Sequence, residues 1–174
     1  MKSINLLLLT FFFISLSCKE EIKNKTPLMS ETSTYYFIRH AEKDRTDPSD
    51  KNPHLTEIGN VRANRWSNVL DEVKFDAVYS TDYNRTKETA QPTAAKNNLE
   101  LKIYNPKDID ATLFIKDTKG QNVLIVGHSN TTPEFVNKIL GQKKYEDIDD
   151  SNNGNLYIVT ISGDVISDQL LVIN

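Results

Sequence analysis

The chain has 174 residues, of which 38% are hydrophobic, and its 21 Lys and Arg against 24 Asp and Glu give a formal net charge of −3. This mild acidity argues against nucleic acid as a partner, because proteins that bind a phosphate backbone normally display a basic face. A single cysteine excludes an intramolecular disulfide, and no Cys/His cluster has zinc-site spacing, so we expect neither a metal nor a cofactor.

The N-terminus is similar to a bacterial lipoprotein signal. Lys2 precedes an apolar run over residues 4–16, which is shorter than the roughly 20 residues that a membrane-spanning helix needs. Leu16-Ser17-Cys18 resembles a lipobox, and this resemblance implies cleavage before Cys18 and acylation of its thiol. We therefore predict a signal peptide over 1–17, a lipidated Cys18 with a flexible tether over 18–33, and membrane anchoring in the cell envelope, on the periplasmic or the extracellular face.

Residues 34–174 are enough for one domain and too few for two. Apolar runs rich in β-branched and aromatic residues alternate there with helical patterns. The predicted strands cover residues 35–38, 75–79, 99–103, 122–126, 156–161 and 168–173. The predicted helices cover residues 56–72, 83–97, 107–116 and 133–140. This alternation predicts an α/β domain whose sheet is parallel over much of its width.

Local signals mark the starts of two helices. Thr132-Pro133-Glu134 offers a capping hydroxyl, a proline at the first helical position and an acid for the helix dipole. Thr81 or Asp82 can cap the helix over 83–97. We therefore expect these side chains at the helix N-termini.

Three predicted strands lead into polar residues that sheet packing does not require. The first strand leads into Arg39 and His40, the second into the segment with Arg85, and the fourth into His128. Ligands bind beyond the carboxyl ends of strands in an open parallel sheet, so these side chains are expected to face one crevice. Arginine binds phosphate oxygens bidentately, and imidazole is a nucleophile at neutral pH when its other nitrogen is held as a donor. Two arginines and a second imidazole can neutralise a phosphoryl-transfer transition state without a metal.

The same motifs resemble those of the histidine phosphatase superfamily, which includes phosphoglycerate mutases. Arg39-His40-Ala41-Glu42 is similar to the Arg-His-Gly motif of that family, with Ala41 in place of the usual glycine. Further landmarks follow in order at residues 55–59, 78–86 and 126–131, so the similarity spans roughly residues 35–141. The resemblance implies a phosphoglycerate mutase-like three-layer sandwich, with a mostly parallel central sheet flanked by helices. Ala41 is expected to narrow the substrate pocket.

The resemblance also implies a role for each motif residue. His40 would be the phosphorylated nucleophile, and Arg39 and Arg85 would clamp the phosphate. His128 would be the second imidazole, which stabilises the transferring group. Asn130 is a candidate substrate ligand near the start of the following helix.

The general acid is less well defined. Glu42 has the His-x-Glu spacing of a metal pair with His40, but no third ligand accompanies it, which favours a structural or orienting role. Acid phosphatases of the superfamily carry Asp directly after the second histidine, where this chain has Ser129. Asp108 is a candidate proton donor, and the alternative is that Asp108 and Asp110 serve the first turn of a helix.

These residues predict a metal-independent phosphatase that hydrolyses phosphate monoesters or phosphoramidates of a small substrate through a phosphohistidine on His40. The chain resembles the short phosphohistidine-phosphatase branch of the family. One alternative is an envelope phosphatase for sugar phosphates or lipopolysaccharide-core phosphates. Another is a lipoprotein that binds a phosphate ligand without turnover. The oligomeric state stays open at this point.

Overall fold

The computed structural model describes residues 31–173 of the chain. Six strands lie in this part: β1 Thr32–Arg39, β2 Ala77–Ser80, β3 Leu101–Ile103, β4 Asn122–Gly127, β5 Asn155–Ser162 and β6 Val165–Val172. Four helices separate or follow the first four strands: α1 Glu57–Val69, α2 Asn84–Lys96, α3 Ala111–Asp117 and α4 Thr131–Leu140. Each predicted strand and helix is present, with ends that differ by a few residues.

The strands form one sheet in the order β3-β2-β4-β1-β5-β6. The neighbours among β3, β2, β4 and β1 pair in parallel, whereas β5 and β6 add an antiparallel hairpin at one side. Arg39 at the end of β1 pairs with Gly127 of β4, and Ser80 of β2 pairs with Val126. The carboxyl ends of three adjacent strands therefore meet at one edge of the sheet, as predicted.

Hydrophobic cores lie on both faces of the sheet, because side chains of a strand alternate between its faces. Val123 and Ile125 of β4 lie in the core beneath α3 and α4, whereas Leu124 and Val126 lie in the core beneath α1 and α2. Trp66 of α1 is 1% exposed and belongs to the second core. The result is the three-layer α/β sandwich that the family resemblance implied.

Two predicted helix caps are wrong. The N-cap of α4 is Asn130 and not Thr132, whose hydroxyl is buried and donates to a backbone carbonyl of β1. The N-cap of α2 is Tyr83, whereas Thr81 is buried and Asp82 lies outside the helix. In both cases an interior contact engages the hydroxyl that local capping rules assign to the helix end.

The sheet begins before the expected domain boundary. β1 starts at Thr32, and the buried hydroxyl of Ser33 accepts a 2.8 Å hydrogen bond from the N–H of Gly120, so the end of the predicted 18–33 tether belongs to the sheet. The predicted signal peptide and Cys18 lie outside the described residues. Within residues 31–173, none of the helices has the length and hydropathy to cross a membrane.

Candidate active site

His40 lies directly beyond β1, and its backbone is held by β4 and by the loop before β5. Its N–H donates to the carbonyl of Gly127 over 2.9 Å, and its carbonyl accepts a 2.7 Å hydrogen bond from Asn153 Nδ2. The residue is 4% exposed. These contacts fix the backbone position of His40 at the edge of the sheet.

The tautomer of His40 is set by its own chain. Nδ1 lies 2.7 Å from the carbonyl oxygen of Ala41. Because a carbonyl can only accept, Nδ1 carries the proton and Nε2 keeps its lone pair. Burial, together with the nearby cations, lowers the pKa of His40 to about 3, against the raising effect of the Ala41 hydrogen bond. At neutral pH the ring is therefore uncharged, with a nucleophilic Nε2.

Ala41 packs away from the pocket, so the expectation that it narrows the pocket is wrong. It is fully buried against Leu55 and Ala63 in a small separate core. Its N–H donates to Thr89 Oγ1 over 2.9 Å. The methyl group therefore stabilises the loop that carries His40 and does not restrict the substrate.

Glu42 supports the same loop. Its Oε1 accepts a 2.7 Å hydrogen bond from Arg62 Nε, and its backbone carbonyl accepts from the N–H of Thr56 over 2.9 Å. A Cβ atom on Gly59 would lie 2.2 Å from this carbonyl, so the close approach of α1 requires glycine. Among residues 31–173 no group of three or more His, Cys, Asp or Glu is placed to hold a metal ion. These contacts support the structural role that the sequence favoured for Glu42.

His128 follows β4 and is oriented by a chain of hydroxyls. Its Nε2 lies 2.9 Å from Thr81 Oγ1, which lies 2.9 Å from Thr86 Oγ1. The Thr86 hydroxyl donates to backbone carbonyls, so Thr81 donates to Thr86 and accepts from His128. Nε2 of His128 therefore carries the proton, and the lone pair lies on Nδ1, 3.5 Å from Arg85 Nη2.

The imidazoles of His40 and His128 lie close to each other. Their ring centroids are 5.5 Å apart. Burial, together with the charges of Arg85 and Arg39, lowers the pKa of His128 to about 4. Both histidines are therefore uncharged at neutral pH in the absence of a bound anion.

Arg85 lies in the first turn of α2 and presents donors to the pocket. Its guanidinium carbon lies 4.4 Å from the centroid of the Tyr83 ring, a cation–π contact that orients the group. Nε and Nη1 are buried and have no protein acceptor within the described part of the chain. This geometry is suited to binding the oxygens of a phosphoryl group.

Arg39 is 2% exposed, and most of its N–H groups donate hydrogen bonds to the loop before β5. Nη1 donates to the carbonyls of Asp149, Asp150 and Asn152 over 2.8, 3.0 and 2.9 Å. Nη2 lies 2.5 Å from Asp150 Oδ1, and the other oxygen of this carboxylate lies 2.7 Å from Arg45 Nη2. Nε of Arg39 is buried without an acceptor among the described residues. Arg39 thus anchors the loop and keeps one donor for a ligand.

A cavity of about 510 Å³ joins these groups at the carboxyl edge of the sheet. The four predicted catalytic residues line it, and so does the candidate substrate ligand Asn130: Arg39, His40, Arg85, His128 and Asn130. The structure thus brings together residues that are up to about ninety positions apart in the chain. A second cavity of about 660 Å³ adjoins it at Asn130 and Glu134.

Asp108 is not brought into this cavity. It is exposed, and its Oδ2 accepts a 2.6 Å hydrogen bond from Asn105 Nδ2, whereas its neighbour Lys107 lines the cavity. Asp110 caps α3 by accepting from the N–H groups of its first turn. The arrangement favours the alternative that these acids serve the helix start. Glu134 of α4 is a carboxylate that does line the cavity.

Sequence reasoning missed several residues of the site. Thr81 orients His128, Tyr83 contacts both Arg85 and His128, and Lys43 and Glu134 line the cavity. Thr81 lies inside a recognised motif and Lys43 directly follows one, so their positions were a usable signal. No sequence signal indicated Asp150, because only the folding of the chain brings it close to the site.

The comparisons with known proteins agree with this geometry. Residues 35–105 match the histidine phosphatase superfamily (branch 1). No match was found among curated proteins. The structure of the protein histidine phosphatase SixA complexed with tungstate is 16% identical with a TM-score of 0.62, over 80% of this chain and 96% of that one.

Two further solved structures are similar. A mycobacterial glucosyl-3-phosphoglycerate phosphatase is 13% identical with a TM-score of 0.62, over 82% of this chain and 99% of that one. A phosphoglycerate mutase from Bacillus anthracis strain Sterne is 16% identical with a TM-score of 0.59, over 82% of this chain and 93% of that one. At such identities the likeness shows a shared fold. The match over residues 35–105 covers Arg39, His40 and Arg85, so this segment is similar to the histidine phosphatase superfamily.

Proposed function

We propose that the protein is a metal-independent phosphatase that hydrolyses phosphate monoesters or phosphoramidates through a phosphohistidine on His40. One observation carries the proposal. Buried donors of Arg85 and Arg39, without protein acceptors in the described region, adjoin an imidazole whose Nε2 is uncharged and held as a nucleophile. A buried donor without an acceptor costs about 1–3 kcal/mol, so an anion that supplies the acceptors fits this pocket.

In the first step Nε2 of His40 attacks the phosphorus atom. A nitrogen–phosphorus bond forms as the bond from phosphorus to the leaving oxygen or nitrogen breaks, and the leaving group departs with that electron pair and takes up a proton. Negative charge lies on the equatorial oxygens in the transition state. The unpaired donors of Arg85 are suited to stabilising this charge.

In the second step water attacks the phosphorus of the phosphohistidine. The nitrogen–phosphorus bond breaks, its electron pair returns to Nε2 of His40, and the water gives up a proton as inorganic phosphate is released. The hydrogen bond from Nδ1 to the Ala41 carbonyl persists through both steps and keeps the ring in one orientation.

His128 changes protonation state as the anion binds. Its pKa is about 4 without a ligand, and an adjacent dianion raises this value because opposite charge favours the protonated form. The proton taken up lies on Nδ1, because Nε2 already donates to Thr81. His128 can then donate to a phosphoryl oxygen during both steps.

The leaving group decides between the candidate substrates. An alkoxide needs a positioned acid, which typically contributes about 10²–10⁴-fold to the rate, whereas imidazole and phenolate leave with less help. Glu134 is a carboxylate at the cavity that can serve a sugar-phosphate substrate of the envelope. A phosphohistidine substrate does not need Glu134 as an acid, because its imidazole leaving group departs with less help. Substrate preference in a Glu134→Gln variant therefore separates the two classes.

We also propose that Cys18 is lipidated and anchors the domain in the cell envelope, which rests on the lipobox-like sequence. Incorporation of fatty acid into the full-length chain, and its loss in Cys18→Ser, is the expected result. Labelling that persists in Cys18→Ser would contradict this anchoring.

The phosphatase proposal is tested with an aryl phosphate and a labelled substrate. His40→Asn should abolish turnover and covalent labelling, and the wild-type label should be acid-labile and base-stable, as expected for a phosphoramidate. His54→Asn is the matched control, because His54 is exposed and does not line the cavity. Label that survives in His40→Asn would refute the assignment, and phosphate binding without turnover in the wild type would instead support a binding lipoprotein.

A further inference from the structure

Lys43 is a cation in the cavity that the mechanism above does not use. It lies three residues beyond His40, and its backbone pairs with Leu55 in an isolated antiparallel bridge. The side chain is half-buried and lines the cavity together with both histidines. The backbone bridge therefore fixes the base of a flexible side chain next to the reacting groups.

Two arginines close to Lys43 have a common partner. Arg39 and Arg45 share the carboxylate of Asp150. Lys43 has no ion pair within the described part of the chain. A half-buried ammonium without a partner is unfavourable in the protein alone and becomes favourable when an anion enters.

Electrostatic coupling places the ammonium near the reacting groups. Burial lowers the pKa of Lys43, and the charge of Arg85 lowers it further, while Asp150 acts in the opposite direction. Lys43 in turn contributes to the lowered pKa of His128. The charge of Lys43 therefore acts on the cavity that it lines together with His40 and His128.

We propose that Lys43 binds the phosphoryl group of the substrate, in place of the Nη donors that Arg39 commits to the loop before β5. This deepens the proposed function and rests on it. A phosphoryl group presents three non-bridging oxygens, whereas Nε is the one nitrogen of Arg39 that has no acceptor among residues 31–173. The ammonium of lysine supplies three donors on a flexible stem and complements the guanidinium of Arg85.

The test compares three variants by inhibition with inorganic phosphate and by hydrolysis of an aryl phosphate. Lys43→Met should raise the inhibition constant of phosphate by about 10- to 100-fold, the range for a hydrogen bond to a charged group. Lys43→Arg should recover most of the loss, because it restores charge and donors. Lys74→Met is the matched control, since Lys74 is exposed and does not line the cavity, and it should change the constant less than about threefold.

Each outcome decides the proposal. Equal effects of Lys43→Met and Lys74→Met, no effect of Lys43→Met, or no recovery in Lys43→Arg would overturn it. If Lys43→Met does not fold, Lys43→Gln gives the same measurement with a neutral polar side chain. Calorimetric binding of phosphate separates this proposal from the general one. If the wild type turns over substrate and Lys43→Met binds phosphate equally well, only the role of Lys43 is refuted. If phosphate binding depends on Lys43 but the wild type shows no turnover, only the phosphatase activity is refuted.

Discussion

Acid should destabilise this protein well above the pH at which carboxylates titrate, because two histidines are buried without charge. Burial holds the pKa of His40 at about 3 and that of His128 at about 4, against about 6.5 in an unfolded chain. Both folded values are depressed. The unfolded chain therefore binds more protons than the folded protein between these values, and stability present above about pH 6.5 is lost as the pH falls.

The magnitude follows from these pKa values. Between pH 7 and pH 5 each histidine should lower the free energy of unfolding by about 2 kcal/mol, so the two together account for about 3–4 kcal/mol. Carboxylates contribute little in this window because unfolded Asp and Glu titrate near pH 4. A loss of this size is a large fraction of the stability of a small domain, which is about 5–15 kcal/mol.

Urea unfolding of the soluble domain at half-unit steps from pH 7.5 to 5 measures the effect. The double variant His40→Gln/His128→Gln should lose most of the slope, whereas His54→Gln should keep it, because His54 is exposed. Inorganic phosphate should reduce the slope in the wild type, since an anion raises the pKa of both rings. A free energy that stays flat from pH 7 to pH 5, or a slope that persists in the double variant, would refute the neutral-histidine site.

Three further predictions concern the reaction. Thr81→Val should lower kcat by about tenfold or more, because it removes the acceptor that fixes the proton of His128 on Nε2, while Thr81→Ser should stay near the wild type; equal rates in both variants would contradict the hydroxyl chain. Asp108→Asn should leave the turnover of aryl and alkyl phosphates unchanged, because this exposed carboxylate accepts a hydrogen bond from Asn105 outside the cavity. Glu134→Gln should slow the hydrolysis of alkyl phosphates by about tenfold or more. A loss of activity in Asp108→Asn that is confined to alkyl phosphates would identify Asp108 as the proton donor. Activity should persist in excess chelator and be inhibited by vanadate, because the cations of the site supply the positive charge; a need for added divalent cation would argue against this charge balance.

Much of the fold was predictable because each element carries its own local signal. β4 is a short apolar run that ends at Gly127, and α4 ends at Gly141, whose φ of 67° favours glycine. The motif residues were predictable for a related reason, since Arg39, His40 and His128 follow strands at the edge where open sheets bind ligands. The sequence by itself therefore determined the elements and the motif residues Arg39, His40 and His128 that line the cavity.

The tertiary structure decided how those residues are held. Arg39 meets Asp150 across 111 positions of chain, and His128 meets Thr81 across 47. Periodicity in a sequence reports whether a residue faces a core, but it carries no information on the distant partner that a polar side chain will meet. The strand order, which places β4 between β2 and β1, creates these contacts. For this reason Thr81 contacts His128 and not a helix end, and the loop before β5 accepts hydrogen bonds from Nη1 of Arg39.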